Sequence, residues 1–422
     1  CIDCGSALAE AEVEYEDKTS PAIDVGFEVQ LSGSDTNQQQ ISNAFGINIP
    51  ADTPVYAIIW TTTPWTLPAN QAVSIHPDFD YELVQTARGL LILASELKQI
   101  CLERYDLTGE TLASCKGQAL EHLPLQHPFE PRTVKIICGE HVTLEAGTGL
   151  VHTTPAHGLD DYFVGQQYGL PSESPVDGHG KFTAGTPLVG GLSVWKANDV
   201  VIDTLKTSGH LFCLKKIDHS YPHCWRHKTP IIFRATPQWF IGMNLHNTSD
   251  TSEQKETLRE LAMRSVESTA FYPAWGKARL EAMIKNRPDW CVSRQRNWGV
   301  PMTLFVHKET HAPHPRTLEL LEQVAQKVEQ QGIEAWFALD AAELLGNEAK
   351  DYIKLTDTLD VWFDSGTTHD TVVKPDAQLK YPVDLYLEGS DQHRGWFQSS
   401  LLTGCAIDGR APYDALLTHG FV

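Results

Sequence analysis

The first 220 residues carry a hydrophobic pattern typical of many short β-strands. Short apolar segments, some alternating with polar residues, are separated by glycine, proline and polar turns. Six segments are predicted strands: 55–61, 81–86, 90–94, 134–138, 142–145 and 149–154. Strands of this number and length predict a barrel or a sandwich. One helix is predicted among them, over 160–168, because acidic residues open it and Gly169 and Pro171 follow it. The polar stretch 32–42 predicts a surface loop.

From about residue 250 the pattern changes to that of amphipathic helices. Apolar residues recur three and four positions apart over 253–268 and 317–331, and Gly332 ends the second helix. The last forty residues predict one βαβ unit of a parallel sheet, with its strand, loop, helix and strand at 383–387, 388–393, 395–407 and 415–421.

The chain is acidic overall, with 54 Asp and Glu against 33 Lys and Arg and a formal charge of −21. This net negative charge argues against non-specific electrostatic binding to nucleic acid or to an anionic membrane, although local basic patches exist at 215–234 and 277–296. No apolar run approaches the roughly 18 residues that a membrane-spanning helix needs. Six of the nine cysteines stand alone, which fits a reducing compartment. We therefore expect a cytoplasmic protein without disulfides or membrane association.

The length of 422 residues predicts two or three domains. The chain starts at Cys1 rather than Met, and 416–422 has the pattern of a strand that continues to the last residue. We expect an internal piece of a longer protein.

Two pairs of residues have the spacing of zinc ligands. They are Cys1-x-x-Cys4 and Cys224-x-x-His227, and two such pairs can close one tetrahedral site across a long insertion. The alternative is that the cysteines are incidental and that His227 is a surface histidine in a basic segment.

Two further segments carry candidate chemistry in the strand-rich half. Thr61, Thr62 and Thr63 end a strand that Pro64 stops, so their hydroxyls and backbone groups can bind a ribose or hold a water. In the second segment, 147–161, a strand delivers His152 and two adjacent acids open a helix. One acid can cap that helix while the other holds a cation such as an ammonium. Ordinary strand threonines, a structural histidine and two capping acids remain the alternative.

A fourth segment, 387–396, lies at the carboxyl end of a predicted parallel strand. Open α/β sheets bind ligands at this edge, and Glu388, Asp391 and Gln392 can hold an amine or ribose hydroxyls.

Together these segments closely resemble the isoleucyl-tRNA synthetases of the bacterial type, a family of class I aminoacyl-tRNA synthetases. The resemblance covers nearly the whole chain, through the segments 61–70, 149–161, 221–239, 289–301, 360–366, 386–396 and 419–421. The string Thr-Thr-Thr-Pro-Trp-Thr-Leu-Pro-Ala-Asn is of the isoleucine type, because the valine and leucine relatives carry Thr-Thr-Arg-Pro there.

The resemblance implies an α/β multidomain fold, in which a β-barrel-like editing domain is inserted into a Rossmann-type parallel α/β catalytic domain whose C-terminal part alone is present. The implied segments are an initial hairpin with the CxxC pair (1–20), the editing or CP1 domain (21–215), a return segment with His-Cys-Trp-Arg-His and part of the catalytic domain (216–302), a helical connective insertion (303–380) and the truncated C-terminal half of the Rossmann domain (381–422).

The implied parent enzyme attaches isoleucine to tRNA(Ile) with ATP and Mg²⁺. Its inserted domain hydrolyses Val-tRNA(Ile) and valyl-adenylate. This step is needed because a hydrophobic pocket gains only about 1–3 kcal/mol of binding free energy per methylene and so discriminates weakly against the smaller valine; isoleucine against valine is the standard example of this limit. The His-Ile-Gly-His and Lys-Met-Ser-Lys-Ser signatures are not in this sequence. We therefore expect that this chain alone does not activate isoleucine. The implied partners are tRNA(Ile), isoleucine, valine and ATP, and we expect a monomer.

The resemblance also assigns residues to sites. The implied editing residues are Thr61, Thr62, Thr63, Asn70, His152 and Asp161. Asp161 would hold the α-ammonium group, the threonines and Asn70 would position the terminal adenosine and a water, and His152 would limit the side chain by its bulk. The implied adenylate and amino-acid contacts are Trp362, Glu388, Gly389, Asp391, Gln392, Trp396, His419 and Gly420. Cys1, Cys4, Cys224 and His227 fall where relatives carry a zinc-ribbon-like hairpin, with histidine in place of one cysteine.

Three rival interpretations remain at this point. The chain could come from a valine or leucine synthetase, which the Pro64-Trp65 sequence disfavours. It could be a free-standing aminoacyl-tRNA deacylase, although such a hydrolase has no use for 388–396 or His419. It could also be a tRNA-binding or structural piece without activity.

Overall fold

The computed structural model describes residues 1–8, 12–31, 35–245, 256–296 and 298–420. The first part of the chain is dominated by one mixed sheet, which holds ten strands of the described residues. They are β1 (Val13–Val29), β2 (Val55–Thr61), β3 (Ala72–Ile75), β4 (Asp80–Thr86), β5 (Gly89–Ala94), β6 (Gly109–Lys116), β7 (Pro124–Gln126), β8 (Thr133–Cys138), β9 (Leu150–Thr153) and β10 (Leu211–Cys224). The helices beside it are α1 (Asp35–Phe45), α2 (Lys98–Arg104), α3 (Leu159–Gln167) and α4 (Val194–Ser208).

Six of these strands close into a barrel. The order β1–β7–β8–β3–β9–β2 returns to β1, because β1 also pairs with β2. Glu28 pairs with Tyr56 of β2 and with Gln126 of β7, so its two partners lie on opposite edges of β1. The paired strands β5, β4 and β6 extend from β2, and β10 pairs with β1 from Val13 to Val25. Closure leaves the six central strands without a free edge.

Alternation along β1 places the apolar residues of the barrel core. Ile23, Val25 and Phe27 are fully buried in the core cluster, and each contributes roughly 1.5–3 kcal/mol by its burial. Asp24 points to the other face, where its carboxylate accepts hydrogen bonds from Arg104 and Tyr105. The buried acid is therefore paired rather than isolated.

Most of the predicted strands are confirmed, and two predictions are wrong. Residues 142–145 form bends and turns instead of a strand. Within 32–42, the described residues from Asp35 on belong to α1, while 32–34 lie outside the described residues. The helix forms because Ile41 and Phe45, one turn apart, pack into the barrel core, and two apolar residues in a polar segment leave too weak a period to detect.

The second part of the chain has smaller sheets and most of the helices. Its strands are β11 (Phe240–Ile241), β12 (Ala270–Tyr272), β13 (Trp290–Cys291), β14 (Ser293–Arg294), β15 (Phe305–His307), β16 (Tyr352–Lys354), β17 (Thr358–Leu359), β18 (Tyr386–Gly389) and β19 (Ala415–His419). Its helices are α5 (Leu258–Ser268), α6 (Trp275–Lys285), α7 (Thr317–Gln331), α8 (Glu334–Ala338), α9 (Ala341–Leu345), α10 (Val361–Gly366) and α11 (Trp396–Asp408). Of the predicted helix 253–268, the residues 253–255 lie outside the described residues.

The predicted βαβ unit is confirmed. Strands β18 and β19 are parallel and α11 connects them, while β12 adds a third parallel strand beside β19. Phe421 and Val422, the end of the predicted last strand, lie outside the described residues. This sheet, α5, α6 and α11 share one apolar core, and α7, α8 and α9 form a separate one.

A buried charged cluster joins the start of the barrel to the second part. Arg294, of which 1% is exposed, contacts Asp360 at 3.0 Å and Glu12 at 3.4 Å. Asp360 caps α10, and Glu12 directly precedes β1. In the described residues, every helix is too short or too polar to cross a bilayer.

Candidate functional site

A cavity of about 330 Å³ opens at one end of the barrel, where the parallel strands β2 and β9 finish side by side. Its lining includes most of the polar side chains that the sequence predicted, together with close neighbours: Thr61, Thr62, Thr63, Thr66, His152, Thr154, His157 and Asp161. The rest of the lining is Trp60, His141, Thr143 and the segment 146–151. Residues more than 90 positions apart in the chain thus meet because β2 and β9 are neighbours.

The threonines form a connected group at the end of β2. The Thr61 hydroxyl lies 3.2 Å from that of Thr63 and accepts a hydrogen bond from the Thr63 N–H at 3.1 Å. The chain then enters a short 3-10 helix, Pro64–Ala69, in which the Thr66 hydroxyl donates to the Thr63 carbonyl at 2.8 Å. Proline at the start of this helix ends the strand ladder, so the hydroxyls face the cavity instead of a neighbouring strand.

His152 is held by both of its ring nitrogens. Its Nδ1 lies 2.7 Å from the amide nitrogen of Asn70, which also donates to the Ala72 carbonyl, so Nδ1 is the acceptor. Its Nε2 lies 2.8 Å from the Thr66 hydroxyl, and that hydroxyl donates elsewhere, so Nε2 carries the proton. Burial lowers the pKa of His152 to about 3. The imidazole is neutral and has no free nitrogen to accept a proton from a bound water.

Asn70 lies behind His152 and is fully buried. It is not part of the cavity lining, and its side chain reaches His152 instead. The geometry therefore gives Asn70 contact with the cavity only through the histidine.

Asp161 lies in the first turn of α3, as the sequence pattern predicted, but neither acid caps the helix. The N-cap residue is Gly158, and the Asp161 carboxylate instead accepts a hydrogen bond from the Thr154 N–H at 3.0 Å. A Cβ at Gly158 would come within 2.6 Å of this carboxylate, so glycine is needed for the close approach. Burial raises the pKa of Asp161 to about 6, against the lowering effect of the Thr154 hydrogen bond. The ionised carboxylate is poorly compensated and can hold a cation.

Sequence reasoning assigned no role to several lining residues. Thr66, Thr154 and His157 lie inside motifs that were already identified, and that position was the one available signal, whereas His141 and Thr143 lie outside them. The Nδ1–H of His157 donates to the Phe233 carbonyl at 2.9 Å, and burial lowers its pKa to about 4. His157 therefore ties the cavity wall to the segment that follows β10.

A second group of predicted residues meets at the carboxyl edge of the parallel sheet. Gly389 pairs with His419 at the ends of β18 and β19. Glu388, Asp391, His419 and Gly420 are exposed there. The Gln392 side chain is turned toward the start of α11, because its carbonyl oxygen accepts a hydrogen bond from the Trp396 N–H at 2.9 Å.

The two predicted tryptophans lie together beside this edge. Trp362 lines a smaller cavity of about 200 Å³ with Arg394 and Gly395. Trp396 is not part of that lining; its ring stacks on Tyr386 at 3.9 Å and its indole N–H donates to the Ser365 carbonyl at 3.0 Å. The stacked ring fixes the start of α11 next to the cavity.

The predicted metal ligands also come together. The side-chain donor atoms of Cys1, Cys4, Cys224 and His227 all lie within 4.8 Å of one another. The Cys4 and Cys224 sulfurs are 3.8 Å apart, and Cys4 Sγ is 3.1 Å from His227 Nδ1. Zn–S and Zn–N bonds of about 2.3 and 2.0 Å in a tetrahedron require ligand atoms roughly 3.5–3.8 Å apart. The four residues fit that geometry with small adjustments.

A family model for the class I tRNA synthetases of the isoleucine, leucine, methionine and valine group matches residues 1–422. Two similar relatives are isoleucine–tRNA ligases. The one from Nitrosomonas europaea is 72% identical over 422 residues, and the one from Thiobacillus denitrificans is 65% identical over 425 residues. Both alignments cover the whole of this chain, which spans 45% of the length of either relative.

Solved structures give a weaker likeness. The crystal structure of GlLeuRS-CP1 covers 46% of this chain and 98% of its own, with 15% identity and a TM-score of 0.39. The editing domain of the Plasmodium knowlesi cytosolic leucyl-tRNA synthetase ("P.knowlesi") covers 49% of this chain and 99% of its own, with 11% identity and a TM-score of 0.37.

Proposed function

The chain belongs to the class I tRNA synthetases of the isoleucine, leucine, methionine and valine group, and from this premise we propose that its barrel cavity hydrolyses Val-tRNA(Ile) and valyl-adenylate. The observation that carries the proposal is the polar lining of the cavity, since Thr61, Thr62, Thr63, His152 and Asp161 all line one space of about 330 Å³. A space of this size holds an amino acid and part of a nucleoside.

The arrangement suits an ester that carries an ammonium group. Asp161 binds the α-ammonium, and the hydroxyls of Thr61, Thr62 and Thr63 orient the ribose and a water. Water attacks the acyl carbon, the bond to the ribose oxygen breaks, and that oxygen leaves with a proton as the free hydroxyl. The ester is already activated by the neighbouring cation, so positioning supplies much of the rate.

His152 sets the size limit in this proposal. Because both ring nitrogens are engaged, the imidazole acts by its volume and not as a base. Valine then fits and isoleucine, larger by one methylene, is refused. Asn70 belongs to the site as the residue that orients this ring.

The test is the hydrolysis of Val-tRNA(Ile) and Ile-tRNA(Ile) by the chain. We expect selective loss of the valyl ester, slower in Asp161→Ala and in Thr63→Ala. Asp160→Ala is the matched control, because Asp160 is the adjacent acid, is exposed and is not part of the cavity lining. Binding of tRNA without cleavage of either ester would instead support the structural interpretation.

We further propose that the longer protein attaches isoleucine to tRNA(Ile) with ATP and Mg²⁺ in the cytoplasm, as a monomer. The sheet edge supports this part, since Glu388, Gly389, Asp391, Gln392, His419 and Gly420 gather where an aminoacyl-adenylate would lie. Trp362 and Trp396 would then form the amino-acid pocket. The basic stretches 215–234 and 277–296 would contact the tRNA, and charge reversal there should weaken tRNA binding.

We propose that Cys1, Cys4, Cys224 and His227 hold one structural zinc ion. The thiolate and imidazole donors suit zinc, and the distances between them fit a tetrahedron. The ion would fasten the first residues to the end of β10, opposite Val13.

A further inference from the structure

The turn that carries Asn70 is held by side chains in addition to backbone hydrogen bonds such as those from the Asn70 N–H to the Leu67 carbonyl and from the Gln71 N–H to the Thr153 carbonyl. Its four successive carbonyl oxygens, at 67–70, each accept a hydrogen bond from a side chain outside the turn. Thr154 donates to Ala69 at 3.0 Å, and Thr154 lines the cavity. The other three carbonyls are reached from one place, the loop 127–132 between β7 and β8.

Two residues of that loop make the contacts. His127 Nε2–H donates to the Leu67 carbonyl at 3.0 Å. Arg132 donates from Nη2 to the Pro68 carbonyl at 3.1 Å and from Nη1 to the Asn70 carbonyl. Neither residue belongs to the cavity lining.

The loop is itself braced. Glu130 donates its N–H to His127 Nδ1 at 3.1 Å, and its carboxylate pairs with Arg132 Nε at 2.5 Å. His127 is 2% exposed and burial lowers its pKa to about 3, so its ring is neutral with the proton on Nε2. Both donors are therefore preset before any ligand enters.

The contacts lead directly to the size-limiting ring. The turn carries Asn70, and Asn70 holds His152 Nδ1 at 2.7 Å. Its 3-10 helix also carries Thr66, which holds Nε2 at 2.8 Å. A shift of the turn would thus release both ends of the imidazole. Sites of this kind lose function when their support is loose by about 1 Å.

We propose that His127 and Arg132 are positioning residues that set the selectivity of the hydrolytic site by fixing this turn. The inference rests on the proposed function and adds a specificity determinant outside the cavity. His127 and Arg132 fix the turn, the turn fixes the imidazole of His152, and that imidazole excludes the isoleucine side chain.

The test compares selectivity, not only rate. Arg132→Gln and His127→Phe remove the donors, while His127→Gln keeps an amide N–H that can reach Leu67. Arg88→Gln is the matched control, because Arg88 also donates to two backbone carbonyls, those of Gly209 and Leu211, away from the cavity. Hydrolysis of the valyl and isoleucyl esters is measured where circular dichroism shows every variant folded, and amide hydrogen exchange is measured over 66–71.

We expect the ratio of valyl to isoleucyl hydrolysis to fall by about tenfold in Arg132→Gln, as for loss of hydrogen bonds to a buried group, with faster exchange over 66–71. Arg88→Gln should leave both unchanged, and His127→Gln should keep most of the selectivity that His127→Phe loses. If Arg132→Gln leaves the ratio and the exchange as in Arg88→Gln, the inference is overturned while the proposed function stands. If the unaltered chain cleaves neither ester, the proposed function itself fails, and the inference with it.

Discussion

At the scale of single residues, the carboxylate of Asp161 gives the cavity a pH dependence. Burial raises its pKa to about 6, so the group is ionised at pH 7 and protonated below pH 6. An ammonium ligand needs the ionised form. We therefore expect kcat/KM for the valyl ester to fall as the pH drops through about 6, measured between pH 5 and 7, where the α-amino group stays cationic.

Two variants check this assignment. Asp161→Asn should give a low rate that is flat across the same range. Asp160→Asn should keep the fall in rate with pH but move it to lower pH, because the Asp160 charge contributes to the raised pKa of Asp161. A slope that persists in Asp161→Asn would assign the titration to another group.

Some of the site residues could be predicted from the sequence, whereas their contacts could not. His152 and Asp161 were identified as cavity residues, because motifs mark which residue types are present. The sequence could not show that Asn70 lies behind the ring or that Thr66 holds its other nitrogen, since those contacts depend on how the 3-10 helix, β3 and β9 fit together. The predicted helix cap at Asp160 is wrong, because α3 begins one residue earlier, with Gly158 at the N-cap, and the Asp160 side chain is exposed within the first turn.

At the scale of elements, Gly149 sets how closely the loop before β9 approaches β5. Gly149 has φ of +80°, and a Cβ there would lie 2.2 Å from the Cβ of Ala94 on β5. We expect Gly149→Ala to lower the free energy of unfolding by more than the roughly 1–2 kcal/mol of a left-handed alanine, and to slow ester hydrolysis, because 149–151 line the cavity. Urea unfolding measures the first effect.

Gly191→Ala is the matched control for that change. Gly191 has nearly the same φ, +79°, but its Cβ would meet open space. The free energy of unfolding that Gly191→Ala loses therefore measures the backbone strain alone. The additional loss in Gly149→Ala measures the steric clash with Ala94. If both variants lose the same free energy of unfolding, β5 and the loop before β9 can move apart without an energetic cost.

The metal proposal also belongs to this scale, because it concerns how the ends of β1 and β10 are fastened. Chain prepared with zinc should contain about one ion per molecule by mass spectrometry, and Cys4→Ser should lose it. Removal of zinc by a chelator should lower the thermal midpoint of the unaltered chain by several degrees. Cys213→Ser, on β10 but away from the cluster, should change neither result.

Element prediction succeeded where one face of the element is regularly apolar. Strands such as β4 and β5 and helix α7 were predicted nearly to their ends. The whole of β1 was missed. Residues of its first part, such as Glu14 and Asp17, pair with β10 in an exposed ribbon, which buries no face and leaves no apolar period to detect. Helix α4 was missed although Ser193 caps it and Gly209 ends it.

At the scale of the whole molecule, separate apolar cores predict separate unfolding steps. The barrel core includes Ile92, whereas α5, α6, α11 and the parallel sheet share a core that includes Leu401. Both residues are fully buried, so Ile92→Ala and Leu401→Ala should each cost about 2–5 kcal/mol. In calorimetry we expect each variant to shift a different transition. One transition that both variants shift equally would show that the two cores unfold together.

The family assignment from motifs is confirmed by the family match and by the relatives, and the mixed α/β fold is confirmed by the structure. A barrel was one of the two architectures that the strand pattern predicted, but the pairings that close it could not be predicted. Residues of β1 pair with residues of β7 and β10 that lie about 100 and about 200 positions away, and no local pattern encodes such pairings.

Closure of the barrel has a consequence for how the protein is made. β1 ends at Val29, and its outer partner β10 ends at Cys224, 195 residues later. A ribosome that adds about 5–20 residues per second needs roughly 10–40 s to supply that partner. During this interval the nascent first strand presents an unpaired edge. Chaperones that shield such edges should therefore raise the yield of this chain, and slower translation between β1 and β10 should lower it.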